Sequence, residues 1–318
     1  MRFAPILALA TQAVTTLAAV KGFNYGATFS DGTIKKQNNF EDEFNSAKNL
    51  VGNSFTSARL YTMIQGDTNG VIEAIPAAIN TQTSLLLGLW TSAGADTVNS
   101  EVQHLVDAVN QYGTAFTDLV IGISVGSEDV YRTTELGIAS NVGPGVLPNT
   151  LVDYIGQVRS AISGTALNGK PVGHVDTYNT WTNTTYTAEL TAAVDFIGVD
   201  AYPYYESTKA NSIDNAARIF WEDFNEVVAV DQGKPVWVTE TGWPVQGPTM
   251  NQAVANVANA ERYFQELGCD LWTGGINTWW FTLQDDQPVV PAGNVVFGVT
   301  GPGLPPPTTP RYDLSCPA

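Results

Sequence analysis

The chain has 318 residues, of which 44% are hydrophobic and 14% are charged, which is enough apolar material for one large core. The formal net charge is −17 at pH 7. A chain this acidic is a poor partner for nucleic acid or anionic lipid and suits a neutral substrate. Its acidity can also serve solubility alone.

The first residues have the features of a secretory signal. Arg2 supplies a positive start, residues 3–20 form an apolar stretch, and small residues near its end allow cleavage. We therefore predict a signal peptide over residues 1–19 and a mature chain of residues 20–318 that is secreted to the extracellular space or the cell wall. A buried N-terminal segment is the alternative. No transmembrane run follows, so no membrane association is expected.

Eight β-rich runs alternate with amphipathic helical stretches along the rest of the chain. The runs are VKGFNYG, SARLYT, LLLGLW, LVIGISVG, PVGHVD, DFIGVDAY, PVWVTE and GGINTWWF. Between them apolar residues recur at helical spacing, as at Phe40, Phe44 and Ala47. Continuous apolar strands are typical of parallel strands that are buried on both faces. The order therefore predicts a single (β/α)8 TIM barrel.

An open, doubly wound sheet is the competing fold. That fold usually has a glycine fingerprint after its first strand, whereas the glycines of GFNYGATFSDG have the wrong spacing. No Gly/Ser-rich or Pro-rich linker divides the middle of the chain, so one domain is favoured over two. The Pro-rich stretch of residues 303–307 is interpreted as a rigid C-terminal tail.

The residues that follow the strands of such a barrel should converge on one pocket, because barrel active sites lie at the carboxyl ends of the strands. Two strands end at glutamates: the fourth at Glu128 and the seventh at Glu240. Across the mouth of a barrel, both side chains could reach one sugar ring. The other residues at strand ends are Asn24, Tyr25, Arg59, Tyr61, Trp90, Asp176, Tyr178, Asp200, Tyr202, Trp243, Trp279 and Trp280.

Two carboxyl groups that flank a glycosidic bond form the apparatus of glycoside cleavage. One must be protonated to help the leaving oxygen depart, and the other must be ionised to attack the sugar or to position water. Aromatic residues around the mouth supply stacking faces for pyranose rings. A helix N-terminal acid is the alternative interpretation of each glutamate, and Asp129 fits that role better than Glu128. A carbohydrate-binding barrel without catalysis is the alternative function, against which the presence of both glutamates argues.

The motifs resemble those of glycoside hydrolase family 17, most of all its fungal cell-wall branch. The shared motifs are GFNYG, ARLYT, VGSEDVYR, YPYY and TETGWP, the last being the most specific, and they span nearly the whole predicted mature chain. The resemblance implies a retaining mechanism on β-1,3-glucan, with Glu128 as acid/base and Glu240 as nucleophile. The glucanosyl group would pass to water, as in a glucan endo-1,3-β-glucosidase, or to another glucan, as in a 1,3-β-glucanosyltransferase.

The resemblance also implies roles for residues around the two glutamates. Arg59 would help to hold the Glu240 carboxylate, and Tyr202 would form a hydrogen bond near it. Ser127 stands where related barrels usually have an asparagine that contacts the sugar 2-hydroxyl. Packing is the alternative for Tyr202, and core filling is the alternative for Trp280. Tyr25, Tyr131, Tyr178 and Trp181 would line neighbouring subsites or lie outside them. The predicted substrate-binding residues besides Arg59, Ser127 and Tyr202 are Tyr25, Tyr61, Tyr131, Tyr178, Trp181, Trp243 and Trp279. Of these, Trp279 is expected to form the floor of the cleavage subsite.

The two cysteines, Cys269 and Cys316, predict a disulfide between the body and the tail of a secreted chain, with two buried thiols as the alternative. The two histidines, His104 and His174, and the lack of CxxC or HExxH motifs predict no metal site and no cofactor. The protein is expected to be a monomer. One N-glycosylation sequon is present, at residues 183–185.

Overall fold

A closed barrel of parallel strands confirms the predicted fold in the computed structural model, which describes residues 18–289 and 295–316. The predicted signal over residues 1–19 lies outside the described residues except for its last two positions. The barrel strands are β1 (Lys21–Tyr25), β2 (Ser57–Leu60), β3 (Ser84–Leu89), β4 (Val120–Ser127), β5 (Val172–Thr177), β6 (Ile197–Asp200), β7 (Val236–Glu240) and β8 (Thr278–Trp280). Each strand pairs with its neighbours in chain order, and β8 closes against β1.

Helices follow the strands and cover the outside of the barrel. They are α1 (Gln37–Lys48), α2 (Ala74–Thr81), α3 (Ala95–Tyr112), α4 (Thr114–Thr117), α5 (Glu135–Ala139), α6 (Pro148–Ile162), α7 (Tyr178–Trp181), α8 (Thr184–Ala193), α9 (Ile213–Val228), α10 (Val257–Tyr263) and α11 (Cys269–Thr273). Short 3₁₀ turns lie at Tyr131–Thr133 and Pro203–Tyr205, and a π-helical turn joins α10 to α11. A small antiparallel hairpin, Ile64–Gln65 with Gly70–Val71, follows β2.

Burial on both faces explains why the strands are continuous apolar runs. All residues of β2 and β6 are buried, as are five of the six residues of β3. The helices, by contrast, bury one stripe each: α9 packs Ile219, Phe220 and Phe224 against the barrel and leaves polar residues outside. The strand ends at the mouth are therefore the places where polar side chains can gather.

An aromatic cluster fills the amino-terminal end of the barrel interior. It consists of Phe196, Trp237 and Trp279 with Leu86. Phe196 and Trp237 stack with 4.0 Å between ring centroids, and Trp279 lies 5.9 Å from Trp237. Gly22 makes room for this cluster, because a Cβ atom there would lie 2.4 Å from the Trp279 indole. The closed lower barrel confines any site to the mouth.

The C-terminal tail returns to the body of the barrel. Cys269 and Cys316 form a disulfide with 5.5 Å between their Cα atoms. The hydroxyl of Ser46 on α1 donates to the Pro306 carbonyl at 2.7 Å, and Leu314 is buried. Within residues 18–289 and 295–316, no helix is both long and apolar enough to cross a membrane.

Candidate active site

The Glu240 carboxylate, at the end of β7, lies among three donors. Its Oε1 accepts from the Arg59 guanidinium at 2.5 Å and from the Tyr61 hydroxyl at 2.7 Å. Its Oε2 accepts from the Tyr202 hydroxyl at 2.7 Å. The side chain is 11% exposed, so its carboxylate still reaches the mouth. These contacts fix the orientation of the group and place a positive charge beside it, as a nucleophilic carboxylate requires.

Arg59 connects four strands at the mouth. Besides Glu240 on β7, its guanidinium donates to Asn24 Oδ1 on β1 at 2.8 Å and to Ser127 Oγ on β4 at 2.9 Å. The Asn24 amide in turn donates to the Thr239 carbonyl at 3.0 Å. The Arg59 side chain is 1% exposed, so a single buried cation fixes the Glu240 carboxylate and Ser127, the residue before Glu128, relative to each other.

A tight turn presents Glu128 after β4. Glu128 has a φ of +56°, and Gly126 has a φ of +85°. A side chain at Gly126 would not fit, because its Cβ would lie 2.1 Å from Asp129 Oδ2, which itself accepts the Ser127 N–H at 2.7 Å. The Glu128 N–H donates to the Val175 carbonyl of β5 at 2.8 Å. A left-handed, non-glycine residue that the surrounding structure holds in place is typical of functional sites.

The surroundings of Glu128 favour its protonated form. Burial raises the pKa of Glu128 to about 7, and the negative charges of Glu240 and Asp176 act in the same direction. Arg132 opposes them, with 3.8 Å between its Nη2 and Glu128 Oε2. Glu128 can therefore hold a proton near neutral pH, while Glu240 faces a guanidinium. Two carboxyl groups in such different surroundings suit the roles of acid and nucleophile.

A buried His–Asp pair supports the turn that presents Glu128. Asp176 Oδ2 accepts from the Val130 N–H and from His174 Nε2, both at 3.0 Å. His174 Nδ1 donates to the Val125 carbonyl at 2.7 Å. Burial by itself lowers the pKa of His174, but the hydrogen bond and charge of Asp176 raise it overall. An imidazolium with an acceptor at each nitrogen therefore fixes the carboxylate that holds the loop.

Asp200 ends β6 in register with Glu240. Its Oδ1 accepts from the Thr239 hydroxyl at 2.7 Å, and its Oδ2 has no partner among the described residues. Burial, followed by the charge of Glu240, raises the pKa of Asp200 well above its usual value. Both effects favour the neutral form of Asp200 and so reduce the repulsion between it and Glu240.

Two pockets flank Glu240. One has a volume of about 310 Å³ and is lined by residues that include Asn24, Lys35, Tyr61 and Phe281. The other has a volume of about 230 Å³ and is lined by residues that include Glu128, Tyr131, Tyr178, Tyr202 and Tyr205. Since Tyr61 and Tyr202 both donate to Glu240, the carboxylate lies between the pockets. We call the pocket that contains Glu128 the acceptor pocket, after the role that we propose for it below.

Four predicted substrate-binding residues lie away from these pockets, and the prediction for them is corrected. They are Tyr25, Trp181, Trp243 and Trp279, each at most 4% exposed. Tyr25 packs edge-on against Phe44 of α1 with 4.9 Å between ring centroids, since alternation along β1 turns Asn24 inward instead. Trp279 belongs to the aromatic cluster at the amino-terminal end, where its indole N–H donates to Ser57 Oγ at 3.0 Å. It is not the floor of the cleavage subsite.

The other two corrected tryptophans pack in the core around the barrel. The Trp181 indole N–H donates to the Gly198 carbonyl at 2.9 Å, and that of Trp243 donates to the Val254 carbonyl at 3.0 Å. Both indoles thus satisfy their one polar group in the interior. Their aromatic character indicated stacking on sugars, but the same character serves packing equally well.

The structure brings the remaining predicted residues together at the mouth. Glu240 accepts hydrogen bonds from Arg59, Tyr61 and Tyr202, and Ser127 contacts Arg59. Tyr131 and Tyr178 line the acceptor pocket. That they contact a substrate stays a prediction. Among residues 18–289 and 295–316, no group of three or more His, Cys, Asp or Glu is placed to hold a metal ion.

Sequence reasoning placed Asn24 and Asp200 at strand ends without a role and missed Phe281 altogether. Phe281 follows β8 and lines the first pocket, with 6.1 Å between its ring centroid and that of Tyr202. The signal was available in the alternation of β8: Trp279 points into the barrel and Trp280 packs outside it against Phe264. The next inward position is therefore Phe281.

A (β/α)8 barrel with a guanidinium-held carboxylate and a second, protonatable carboxyl at its mouth is typical of the class of glycoside hydrolases. Comparison with known proteins agrees. The BtgE/BtgC glycoside hydrolase domain matches residues 22–296, and the chain belongs to this family.

Two relatives and two solved structures are similar over most of the chain. The probable glucan endo-1,3-beta-glucosidase eglC of Aspergillus oryzae is 54% identical over an alignment of 318 positions that covers 99% of this chain and 67% of the relative. That of Aspergillus fumigatus strain Af293 is 53% identical over an alignment of 320 positions that covers 100% of this chain and 70% of the relative.

Among solved structures, a glycoside hydrolase family 17 beta-1,3-glucanosyltransferase from Rhizomucor miehei has a TM-score of 0.75 at 24% identity, covering 93% of this chain and 98% of that one. CJP38, a beta-1,3-glucanase and allergen of Cryptomeria japonica pollen, has a TM-score of 0.66 at 16% identity, covering 93% and 99%. At these identities the likeness concerns the fold.

Proposed function

We propose that the protein is a retaining enzyme of glycoside hydrolase family 17, of the fungal cell-wall branch, which cleaves β-1,3-glucan without a cofactor. The observation on which this depends is the arrangement of the two carboxyl groups. Glu240 is held by Arg59, Tyr61 and Tyr202, while burial raises the pKa of Glu128 to about 7. The names of the curated relatives support β-1,3-glucan as the substrate.

The reaction proceeds in two displacements. Glu240 attacks the anomeric carbon while Glu128 gives its proton to the leaving oxygen, which leaves a covalent glycosyl-enzyme. Glu128, now ionised, takes a proton from an incoming hydroxyl, whose oxygen attacks the anomeric carbon and releases Glu240. Ser127 Oγ accepts from Arg59 at 2.9 Å, so its own hydroxyl proton stays free to donate to the sugar 2-hydroxyl.

The incoming hydroxyl belongs either to water or to a second glucan chain. Transfer to a glucan requires that an acceptor sugar displaces water from the side of Glu128. The acceptor pocket offers Tyr131 and Tyr178 as stacking surfaces there. The enzyme therefore acts as a glucanosyltransferase at high glucan concentration and as an endo-glucosidase otherwise. It acts as a monomer that is secreted to the extracellular space or cell wall.

Laminaripentaose over a concentration series tests this proposal. Mass analysis of timed samples should show products both shorter and longer than the pentaose, with the longer ones increasing with concentration. If only shorter products form at every concentration, the protein is a plain hydrolase. If the folded wild type forms no product, and it and its Glu240→Gln variant bind laminaritriose with the same affinity, the barrel is a carbohydrate-binding protein and the proposed catalysis is wrong.

A further inference from the structure

A polar cluster lies behind the acceptor pocket, outside the catalytic pair. Asp223 on α9 is completely buried. Its Oδ1 accepts from the Lys209 ammonium, and its Oδ2 has no partner among the described residues. Burial raises the pKa of Asp223 to about 7, against the opposing effect of Lys209. A buried carboxylate whose charge is balanced by one lysine confines that lysine strongly, because its departure would leave the charge unpaired.

The confined ammonium faces an aromatic residue of the acceptor pocket. Lys209 Nζ lies 5.3 Å from the centroid of the Tyr178 ring. The Tyr178 hydroxyl donates to Glu206 Oε2 at 3.0 Å. Tyr178 and Glu206 both line the acceptor pocket with Glu128, whereas Lys209 and Asp223 do not line it. The ring is thus held at its hydroxyl by a carboxylate and over its face by a cation.

We propose that Lys209, anchored by Asp223, is a positioning residue that orients the Tyr178 ring as the stacking surface for the acceptor sugar and thereby sets the ratio of transfer to hydrolysis. This inference rests on the proposed function. An acceptor outcompetes water at the glycosyl-enzyme only where its binding surface is already ordered. If the Tyr178 ring is free to reorient, the acceptor sugar binds less well, whereas the reaction with water is unaffected.

A double-mutant cycle tests whether Lys209 acts through Tyr178. The four proteins are the wild type, Lys209→Met, Tyr178→Ala and the double variant, and the readout is the transfer-to-hydrolysis ratio from laminaripentaose. We expect Lys209→Met to lower the ratio about fivefold, the size of a partly desolvated cation–π contact. In the Tyr178→Ala background, the same change should alter the ratio by less than about 1.5-fold, since the residue through which Lys209 acts is missing.

Three further variants exclude a merely structural effect. Lys234→Met removes a lysine near the start of β7, at the opposite end of the barrel, and should leave the ratio unchanged. Lys209→Arg should restore most of the ratio. Lys209→Met/Asp223→Asn removes the unpaired charge together with the lysine, so it should regain thermal stability and keep the low ratio. The proposal would be overturned if Lys209→Met/Asp223→Asn regained the wild-type ratio together with its stability. It would also be overturned if Lys209→Met lowered the ratio equally in the wild-type and Tyr178→Ala backgrounds.

A binding measurement separates failure of this inference from failure of the proposed function. If the wild type forms no product, the proposed function fails, and the same cycle is measured as laminaritriose affinity by titration calorimetry. Weaker binding on Lys209→Met that disappears in the Tyr178→Ala background then supports the positioning role alone. Unchanged affinity in both backgrounds overturns it.

A second observation concerns the sequon of residues 183–185. Asn183 is exposed at the start of α8, and its side chain does not cap the helix. Its backbone is fully used, with the N–H on the Thr180 carbonyl at 3.1 Å and the carbonyl accepting from the Tyr186 and Thr187 N–H groups. Thr185, the third residue of the sequon, is exposed as well.

We infer that Asn183 carries an N-linked glycan when the chain passes through a secretory pathway. Its amide nitrogen forms a bond to C1 of a lipid-diphosphate-linked oligosaccharide, the bond from C1 to the phosphate oxygen breaks, and the amide loses one proton. No backbone or capping contact of the helix is lost in this reaction, because only the free side chain takes part.

Expression in a yeast host with the host's signal sequence in place of residues 1–19 tests this site independently of the native signal. Treatment with an amidase that releases N-glycans should reduce the mass of the wild type and of Thr184→Ala, which keeps the sequon, but not that of Asn183→Gln or Thr185→Ala. Peptide mass analysis should find Asp at position 183 after release. A secreted wild type whose mass does not change overturns the inference.

Discussion

Replacing Glu128 by glutamine should separate proton donation from nucleophilic attack. Glutamine keeps the size of the side chain, and a φ of +56° is no harder for glutamine than for glutamate. The Glu128 side chain is 28% exposed, and its nearest charged partner is Arg132, with 3.8 Å between Arg132 Nη2 and Glu128 Oε2. The variant should therefore fold with little loss of stability, and its kinetic defects should report the missing proton alone.

The size of the defect should depend on the leaving group. On laminarin the leaving oxygen belongs to a sugar and needs a proton, so Glu128→Gln should lower kcat/KM by about 10²–10⁴-fold, the value of general acid assistance. A dinitrophenyl β-laminaribioside leaves without a proton, so its initial burst of dinitrophenolate should slow by less than about tenfold. Steady turnover of this substrate should still be slow, because Glu128 is also the base for the second displacement.

The pH profile gives an independent check with a fixed sign. Burial raises the pKa of Glu128 to about 7, so the acid is present below that pH and is lost as the pH rises through it. The kcat/KM of the wild type on laminarin should therefore fall above pH about 7, and Glu128→Gln should lack this basic limb. Stopped-flow absorbance and reducing-end assays measure the two quantities. Equal losses on both substrates, or a basic limb that persists in the variant, would refute the assignment of Glu128.

Three further outcomes are expected from the same geometry. Glu240→Gln should reduce laminarin cleavage and the dinitrophenolate burst alike, by at least about 10⁴-fold; a burst of normal size would contradict the assignment of Glu240. Urea unfolding of this variant should show that the free energy of unfolding falls by about 3 kcal/mol, because the buried Arg59 loses its counter-ion. Asp200→Asn should keep activity within about threefold of the wild type, because burial and the charge of Glu240 raise the pKa of Asp200 and favour its neutral form. A hundredfold loss would show that the charge of Asp200 is needed. Serine at both Cys269 and Cys316 should lower the free energy of unfolding by about 2–4 kcal/mol, since the disulfide closes a separation of 47 residues; an unchanged urea midpoint would argue against this.

The barrel and the positions of the two glutamates could be predicted from the sequence because both depend on local signals. Each of the eight apolar runs overlaps a barrel strand and ends within a few residues of the end of that strand. Burial on both faces makes the strands continuous apolar segments, and the turns between them interrupt the pattern. Glu128 and Glu240 follow such runs directly, and in a parallel barrel all strand ends meet at one mouth. The disulfide could be predicted because the chain has two cysteines and a predicted secretory signal.

Only the tertiary structure decided which side chain at each strand end faces the mouth. A shift of one residue along a strand turns a side chain to the opposite face, so Asn24 enters the barrel where Tyr25 was expected. Trp279 and Phe281 both point inward, but Trp279 lies in the closed amino-terminal end and Phe281 lies beyond β8, so Phe281 lines a pocket where Trp279 was expected. Aromatic residues suit packing and sugar stacking equally, so their type cannot distinguish the two. Charged contacts such as Lys209 with Asp223 join segments that periodicity treats separately, because a buried ion pair exists only once both chain segments are folded around it.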